Sequence, residues 1–269
     1  MNADVDAGPK QRSDSAGSAT RVGTAGWGIP KESRDGFDGE GSALRRYGRV
    51  FNCVEINSTF YRSHRTRTYE GWAASVPDDF GFSVKVPREI THVRKLAHCA
   101  PELTRFLAET SALGPKREVL LVQLPPLLAY DASVAGDFFE TFRRMYDGDM
   151  ALEPRHASWF TPEVEAWLDA IGVARVAADP PPASQPFGPG GSKRLVYYRL
   201  HGSPRTYYSA YEPEAIARIG AELEPLPRAW CIFDNTAAGA AIPNALLLSQ
   251  RSKACSQALE KHVPMGNPG

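Results

Sequence analysis

The sequence predicts an α/β protein folded as a TIM-like (β/α)8 barrel, and three observations support this fold class. Short apolar runs alternate with longer segments of helical character, an order typical of parallel strands joined by crossover helices. Eight such units fit into 269 residues, close to the roughly 250 residues that this barrel usually takes. Charged, amide and imidazole residues gather where the runs end. The runs assigned as strands are residues 21–26, 53–56, 81–86, 119–123, 149–153, 173–178, 195–200 and 230–233.

Helical segments are predicted between or after these strands. They are residues 41–50, 66–75, 101–113, 133–146, 161–171, 213–222 and 237–250. The start at Thr161 has the strongest signal, because a Thr cap is followed by Pro162 at the first helical position. Residues 179–192 are dense in proline and glycine and cannot hold a helix. We therefore predict an irregular barrel in which a loop replaces the sixth helix.

The domain organisation is predicted to be one barrel, residues 21–250, between a disordered N-terminal tail, 1–20, and a polar C-terminal tail, 251–269. The 31 basic and 31 acidic residues balance, which gives no overall attraction to nucleic acid or to an anionic membrane. No apolar run approaches the length of a membrane span, so a cytoplasmic protein without membrane partners is expected. Cys53 and Cys231 lie in apolar runs and are expected to be buried, unreactive thiols.

The polar residues at the strand ends predict a site, because the functional face of an α/β barrel lies at the carboxyl ends of its strands. Four of them could transfer protons, and the candidate catalytic residues are Glu55, Glu153, Asp179 and His201. The candidate substrate-binding residues are Trp27, Asn57, Tyr61, Lys85, His92, Gln123, Arg155, His156, Arg199 and Asn235. Asp234 is a further acid or base at the end of the eighth strand.

Two structural alternatives remain open for these charges. Glu153 with Arg199, or Asp179 with Lys85, could form buried ion pairs that only shape the pocket. A divalent metal held by carboxylates and imidazoles is a further alternative, which the basic residues in the same ring disfavour. No residue is assigned as a metal ligand, and the cofactor is left unknown.

Several segments together carry a family resemblance. They are VGTAGW at 22–27, FNCVEINSTFY at 51–61, FSVKVPR at 82–88, LVQLPP at 121–126, EPRHASW at 153–159, YRLHG at 198–202 and DN at 234–235. On these motifs the chain, from about residue 21 to 248, resembles the YecE-like proteins, the family of domain of unknown function 72. The resemblance implies a TIM barrel and brings no established activity. The family often has Asn-Asn where this chain has Asp234-Asn235.

Three functions follow as hypotheses. The first is an enzyme, a hydrolase, lyase or isomerase, that acts by acid–base chemistry on a small polar, phosphorylated or sugar-like substrate. The second is a barrel that binds or processes nucleic acid, by analogy of fold alone. Its basic rim would consist of Arg62, Arg65, Arg67, Arg88, Arg94, Lys95 and Arg205. The third is a non-catalytic protein that binds a small polar or anionic ligand. The oligomeric state is not predicted.

Overall fold

The computed structural model describes residues 20–182, 185 and 187–260. The strands in this part of the chain are β1 (Arg21–Thr24), β2 (Cys53–Ile56), β3 (Gly81–Lys85), β4 (Arg117–Gln123), β5 (Asp149–Glu153), β6 (Val173–Arg175), β7 (Ala177–Asp179), β8 (Gly190–Gly191), β9 (Val196–Leu200) and β10 (Ala229–Phe233). The α-helices are α1 (Ala43–Tyr47), α2 (Thr66–Ala74), α3 (Ala100–Thr110), α4 (Ala132–Met145), α5 (Pro162–Ala170), α6 (Pro213–Leu223) and α7 (Ala241–Glu260). Each of the eight predicted runs contains at least one strand.

The strands form two sheets, and parallel pairing dominates both. One sheet has the order β2-β3-β4-β5-β6-β8 and the other the order β1-β10-β9-β7. The only antiparallel pair in the described sheets joins the two-residue strand β8 to β6. The sheets adjoin where Ala25 forms a single parallel bridge with Glu55, and where Val176 alone separates β6 from β7. The predicted α/β class with parallel strands is therefore confirmed.

The strands bury side chains on both of their faces, as alternation along a strand requires. On one face, side chains from both sheets pack together in a single apolar cluster. This cluster contains Cys53, Val119, Leu121, Ala151, Ala174, Val176, Ala178, Leu195, Tyr197, Trp230 and Ile232. The opposite face of the strands packs against the helices, for example Leu120 and Leu152 in one cluster with Leu103 and Phe138. The first face leads directly to the charged residues described below.

The ends of the helices agree with the sequence signals at α5 and differ at α7. The Thr161 hydroxyl accepts a hydrogen bond from Val164 N at 3.3 Å, and Pro162 begins α5 as predicted. The last helix begins at Ala241, not at residue 237, because the preceding residues form a turn with Gly239 at φ +78°. It continues to Glu260, ten residues into the segment predicted as a polar tail. That segment has no proline or glycine before Pro264 to stop a helix.

The structure does not test the rest of the predicted tails, because residues 1–19 and 261–269 lie outside the described part. Helix α1 is also shorter than the predicted 41–50. No helix in the described ranges is long and apolar enough to cross a membrane.

The sixth connection is a loop in those residues that the structure describes. Residues 180–182, 185 and 187–195 include strand β8 and no α-helix. Gly191 has φ +62°, and a Cβ atom there would lie 2.4 Å from the carbonyl oxygen of Val173. Only glycine fits this close approach of two strands. Proline density thus excludes the helix, and glycine allows the short antiparallel strand in its place.

Candidate functional site

Arg199 is the centre of a buried cluster of charges, which we call the Arg199 cluster and define as Arg199, His201, Glu55, Glu153 and Asp234. The guanidinium donates from Nε and Nη2 to the two carboxylate oxygens of Glu55, at 2.9 and 2.7 Å. It also donates from Nη1 to Glu153 Oε2 at 2.5 Å and from Nη2 to Asp234 Oδ2 at 2.9 Å. Arg199 and Glu55 have no exposed surface. One buried guanidinium therefore donates hydrogen bonds to three carboxylates.

Strand geometry explains why these residues meet. Glu55 lies near the end of β2, Glu153 ends β5, and Asp234 directly follows β10. Parallel strands place their carboxyl ends at the same edge of a sheet. Because charges buried without partners cost several kcal/mol each, as an order of magnitude, the cluster persists only through its paired hydrogen bonds. Burial lowers the pKa of Arg199, but the three carboxylates outweigh it and hold that pKa well above its ordinary value.

His201 binds two members of the cluster at once. Its Nδ1 lies 3.1 Å from Asp234 Oδ2, and its Nε2 lies 3.1 Å from Glu153 Oε1. Burial lowers the pKa of His201, but the charge of Glu153 and the hydrogen bonds to both carboxylates raise it above the ordinary value. A neutral ring would turn one lone pair toward a carboxylate, so we assign an imidazolium that donates from both nitrogens.

Glu153 is the most heavily hydrogen-bonded carboxylate of the cluster. Besides Arg199 and His201, it accepts from Gln123 Nε2 at 2.9 Å and from Arg155 Nη2 at 3.3 Å. Burial raises the pKa of Glu153, but the positive charges of Arg199 and His201 lower it well below the ordinary range. With these donors in place, Glu153 is held as a carboxylate and is a weak base.

Tyr197 and Ser83, which were not predicted as site residues from the sequence, form hydrogen bonds next to Glu55 of the cluster. The Tyr197 hydroxyl lies 3.0 Å from Glu55 Oε2 and 2.8 Å from Ser83 Oγ. The missed signal is the two-residue period of a strand, which places Tyr197 on the same side of β9 as Arg199. The same period relates Ser83 to Lys85 on β3.

Lys85 stands beside the cluster without an ion pair to any described carboxylate. Its side chain is buried, with 7% exposure, and its Nζ lies 4.3 Å from the centre of the Phe60 ring. Burial, followed by the charge of Arg199, lowers the pKa of Lys85 to about 8, while the cluster's three carboxylates oppose this shift. The Lys85 ammonium is therefore a buried cation that makes no ion pair with any carboxylate of the described residues.

His92 lies against the same aromatic ring. Its ring meets Phe60 edge-on, with centroids 4.9 Å apart, and its Nδ1 lies 2.8 Å from Thr91 Oγ1. Burial lowers the pKa of His92, and so do the charges of Lys85, Arg88 and Arg155. Three cations thus act on one imidazole, which keeps it neutral and marks a region of positive potential.

Tyr207, which is not among the predicted substrate-binding residues, packs against His201. The two rings meet edge-on with centroids 5.6 Å apart. The Tyr207 hydroxyl lies 3.3 Å from Arg155 Nη2, and its backbone N–H donates to the carbonyl of His201. This tyrosine has φ +71°, a left-handed conformation that a side chain adopts only with support from its surroundings. No local sequence pattern marks this contact, because it depends on the fold of the loop after β9.

The structure brings together most of the predicted site residues. Those in or touching the Arg199 cluster, or sharing the Phe60 ring beside it, are Glu55, Lys85, His92, Gln123, Glu153, Arg155, Arg199 and His201. The expected pair of Glu153 with Arg199 forms, and the alternative pair of Asp179 with Lys85 is absent from the described ion pairs. Asp179 instead accepts a hydrogen bond from the Tyr211 hydroxyl at 2.7 Å.

Other predicted residues make local contacts outside the cluster. Trp27 packs edge-on against Trp72, and Tyr61 is 80% exposed. His156 Nδ1 accepts from Ser158 N at 3.2 Å, which caps the turn Ala157–Trp159. Asn235 Nδ2 donates to the Ser209 carbonyl and to Asn244 Oδ1, both at 2.9 Å, and so ties loops together. The buried Oδ1 of Asn57 makes no hydrogen bond within the described structure.

The described residues can be examined for groups that could bind a metal and for reactive thiols. Among the described residues, no group of three or more His, Cys, Asp or Glu is arranged to hold a metal ion. The three carboxylates of the cluster converge on a guanidinium. Cys53 and Cys231 are buried and free, and burial raises the pKa of both thiols, as the sequence predicts.

Fold and site together define an α/β protein with parallel sheets and a buried charge cluster at the carboxyl ends of its strands. The chain belongs to the family described as "Protein of unknown function DUF72", whose sequence profile matches residues 21–268. The resemblance seen in the sequence is confirmed.

Individual relatives agree with this membership. The chain is 30% identical to UPF0759 protein YecE of Escherichia coli K12 over 167 residues, 60% of this chain and 59% of the relative. It is 26% identical to UPF0759 protein YunF of Bacillus subtilis over 168 residues, 56% of this chain and 59% of the relative. The aligned part therefore spans about three-fifths of these curated relatives.

Solved structures of DUF72 proteins share the fold. One from Thermotoga maritima superposes with a TM-score of 0.73 and 23% identity, covering 87% of this chain and 99% of its own. One from Enterococcus faecalis gives a TM-score of 0.74 and 20% identity, covering 87% and 96%. At these identities the likeness bears on the fold alone.

Proposed function

We propose that the chain is an enzyme with a closed (β/α)8 barrel that binds a small anionic, polar substrate beside Lys85. Three features support closure: the Ala25–Glu55 bridge, the direct continuation of β6 into β7 through Val176, and one apolar cluster to which both sheets contribute side chains. In such a barrel the Arg199 cluster fills the mouth, where barrel enzymes carry their active sites.

The observation that carries the proposed anion site is the unpaired charge of Lys85. The three carboxylates of the cluster are engaged by Arg199 or His201, whereas Lys85 has no carboxylate within ion-pair distance in the described chain. With His201 protonated, four cationic side chains (Lys85, Arg155, Arg199 and His201) face three carboxylates. The surplus is one positive charge in a region shielded from water, which an anionic ligand would neutralise.

We propose that proton transfer is carried out by residues other than those at the centre of the Arg199 cluster. His201 and Glu153 are held by several charged partners, so we propose that they set the field and position Arg155 and Gln123. Lys85 and His92 have lowered pKa values and fewer partners, which suits groups that exchange protons near neutral pH. The buried Asn57 Oδ1 can accept from a substrate hydroxyl. A hydrolase, lyase or isomerase reaction is compatible with these groups, and no cofactor is assigned.

Thermal unfolding with matched ligands tests the proposal. Glucose 6-phosphate and pyruvate should raise the melting temperature of the protein, while glucose should not. The Lys85→Met variant should lose this shift. The matched control is Lys116→Met, because Lys116 is already engaged by the carbonyls of Ala73 and Val76. Equal shifts in the wild type and in Lys85→Met would refute the anion site. A ligand that binds without turnover would leave the non-catalytic binding function in its place.

Nucleic-acid binding has weaker support. The basic rim residues are exposed, but Arg94 is paired with Glu102 at 2.7 Å and Arg205 stacks on Tyr208. We expect no gel shift of single-stranded DNA or RNA at physiological salt. A shift that weakens steeply with salt would favour this function instead.

A further inference from the structure

We propose that the Lys85 amine is a nucleophile that forms an imine with an aldehyde or ketone carrying an anionic group. This inference rests on the proposed anion site and adds the reaction that the site performs. It assigns to Lys85 a covalent role that the sequence did not suggest.

The first argument is the geometry around Nζ. Lysines are usually kept protonated by carboxylates or water, whereas Lys85 is buried and has no described ion pair. Its Nζ lies 4.3 Å from the centre of the Phe60 ring, the ring that His92 also contacts. The positive Arg199 guanidinium nearby disfavours a second charge. At a pKa of about 8, about a quarter of the amine is neutral near pH ~7.5, against roughly a thousandth for an ordinary lysine. A neutral, desolvated amine is the form that attacks carbonyl carbon.

The second argument is that Lys85 has a proton-transfer group and anion-binding groups beside it. His92, whose pKa is lowered by burial and then by its cationic surroundings, lies at the edge of the same Phe60 ring and can carry the proton that moves during the reaction. Arg88 and Arg155 act on His92 from the same region, and Arg155 retains partial exposure, 27% of its side chain. A carboxylate or phosphate bound there would hold the carbonyl of the same small molecule near Lys85.

The reaction balances with these groups and one proton taken from solvent. The nitrogen lone pair attacks the carbonyl carbon, the π electrons move to oxygen, and one proton passes from nitrogen to that oxygen through His92. The neutral carbinolamine takes one further proton, supplied from solvent through His92, and loses its hydroxyl as water. The nitrogen lone pair then forms the C=N bond of the iminium. No oxidant, reductant or metal takes part. The iminium withdraws electrons from the adjacent carbon, which favours proton removal or carbon–carbon cleavage there.

Trapping by reduction tests the inference. The full chain is incubated with sodium cyanoborohydride and one of four probes: pyruvate, dihydroxyacetone phosphate, acetone or dihydroxyacetone. The first two carry a carboxylate and a phosphate, and the last two are their neutral counterparts. Peptide mass spectrometry then locates any alkylated lysine. We expect Lys85 to be labelled at least roughly tenfold more by an anionic probe than by its neutral counterpart, since a charge-assisted contact is worth about a factor of ten or more.

Two variants keep the test decisive. Lys85→Arg retains the charge but cannot form an imine, and it should keep anion-dependent stabilisation while losing the label. Lys116→Met should change neither. Preference between the two anionic probes tells whether the site takes a carboxylate or a phosphate.

The anion site and the imine can be refuted separately. If an anionic probe raises the melting temperature through Lys85 but no label appears on Lys85, the imine is wrong and the anion site stands. If no anionic probe has any effect on melting or labelling, both are wrong. Equal labelling of Lys85 and the exposed lysines also overturns the imine, because it shows ordinary amine reactivity.

Discussion

Arg199 and Glu55 form a bidentate ion pair, with Nε–Oε2 and Nη2–Oε1 distances of 2.9 and 2.7 Å, although 144 residues separate them in the chain. Both side chains are fully buried. The pair joins β9 of one sheet to β2 of the other and leaves Arg199 Nη1 free to reach Glu153. A planar guanidinium is the one side chain that can satisfy this arrangement, since it presents five N–H donors in fixed directions.

Replacing Arg199 by Lys should therefore be strongly destabilising. A lysine ammonium has three donors on one atom, so it cannot replace the four hydrogen bonds that Arg199 makes from three nitrogens, and at least one carboxylate oxygen would remain buried without a partner. We expect a loss of about 3–5 kcal/mol in the free energy of unfolding, measured by urea denaturation. Arg144→Lys is the control, because Arg144 makes only exposed contacts, an ion pair with Glu140 and a hydrogen bond to Thr141, and should change stability by less than about 0.5 kcal/mol. A loss as small as that of the control would show that the guanidinium geometry is unimportant.

Glu153→Gln should also destabilise the protein, since the neutral amide leaves Arg199 and His201 with an unbalanced charge and turns a donor toward them. The expected cost is about 3–5 kcal/mol in the same measurement. Glu140→Gln changes the same atoms at an exposed position and should have almost no effect. A stable Glu153→Gln protein that has lost only ligand binding would instead identify Glu153 as a substrate contact.

The protonation state of His201 should affect how the free energy of unfolding depends on pH. Its folded pKa lies above the ordinary 6.5, so its contribution is complete below pH 6.5 and is lost as pH rises through the folded value. Glu153 and Asp234 have lowered pKa values, so their contributions are present above their ordinary 4.5 and 3.8 and are lost on acidification.

Unfolding free energies of the wild type and His201→Asn should converge as pH rises above 6.5. The exposed His98, changed to Asn, is the control and should leave the profile unchanged. A constant difference between wild type and His201→Asn across that range would contradict the assigned imidazolium.

Lys85 should react as an amine with a pKa of about 8, rather than the ordinary 10.5. Burial dominates this shift. The charges that face Lys85 are Arg199 on β9, which lowers its pKa, and Glu55, Glu153 and Asp234 from β2, β5 and the end of β10, which raise it. Acetylation by a small anhydride, followed by peptide mass spectrometry, should give a rate at Lys85 with its midpoint near pH 8.

Lys116 is the internal reference for that measurement, since it lies in the same chain and is paired with Asp78. A midpoint for Lys85 near the ordinary 10.5 would contradict the effect of burial. In Arg199→Met the midpoint for Lys85 should move upward, because the charge that lowers its pKa is gone, provided that the variant retains its folded spectrum.

Much of this protein was determined by local features of its sequence. Alternation of apolar runs and helical segments predicted the parallel α/β class, and Thr161-Pro162 predicted the start of α5. The density of proline and glycine predicted a loop after β7. Glu55, Lys85, Glu153, Arg199 and His201 could be named because strand ends are recognisable from the sequence alone.

Only the tertiary structure decided how those residues pair. Which carboxylate lies against Arg199 depends on the stagger of strands whose paired residues are 35 to 144 positions apart in the chain, and no local pattern encodes that distance. Asp179 and Glu153 both end strands, yet one accepts from Tyr211 and the other from Arg199 and His201. Electrostatic energy falls with distance and rises with burial, so these ångström-scale differences leave His201 charged, Glu153 ionised and Lys85 unpaired.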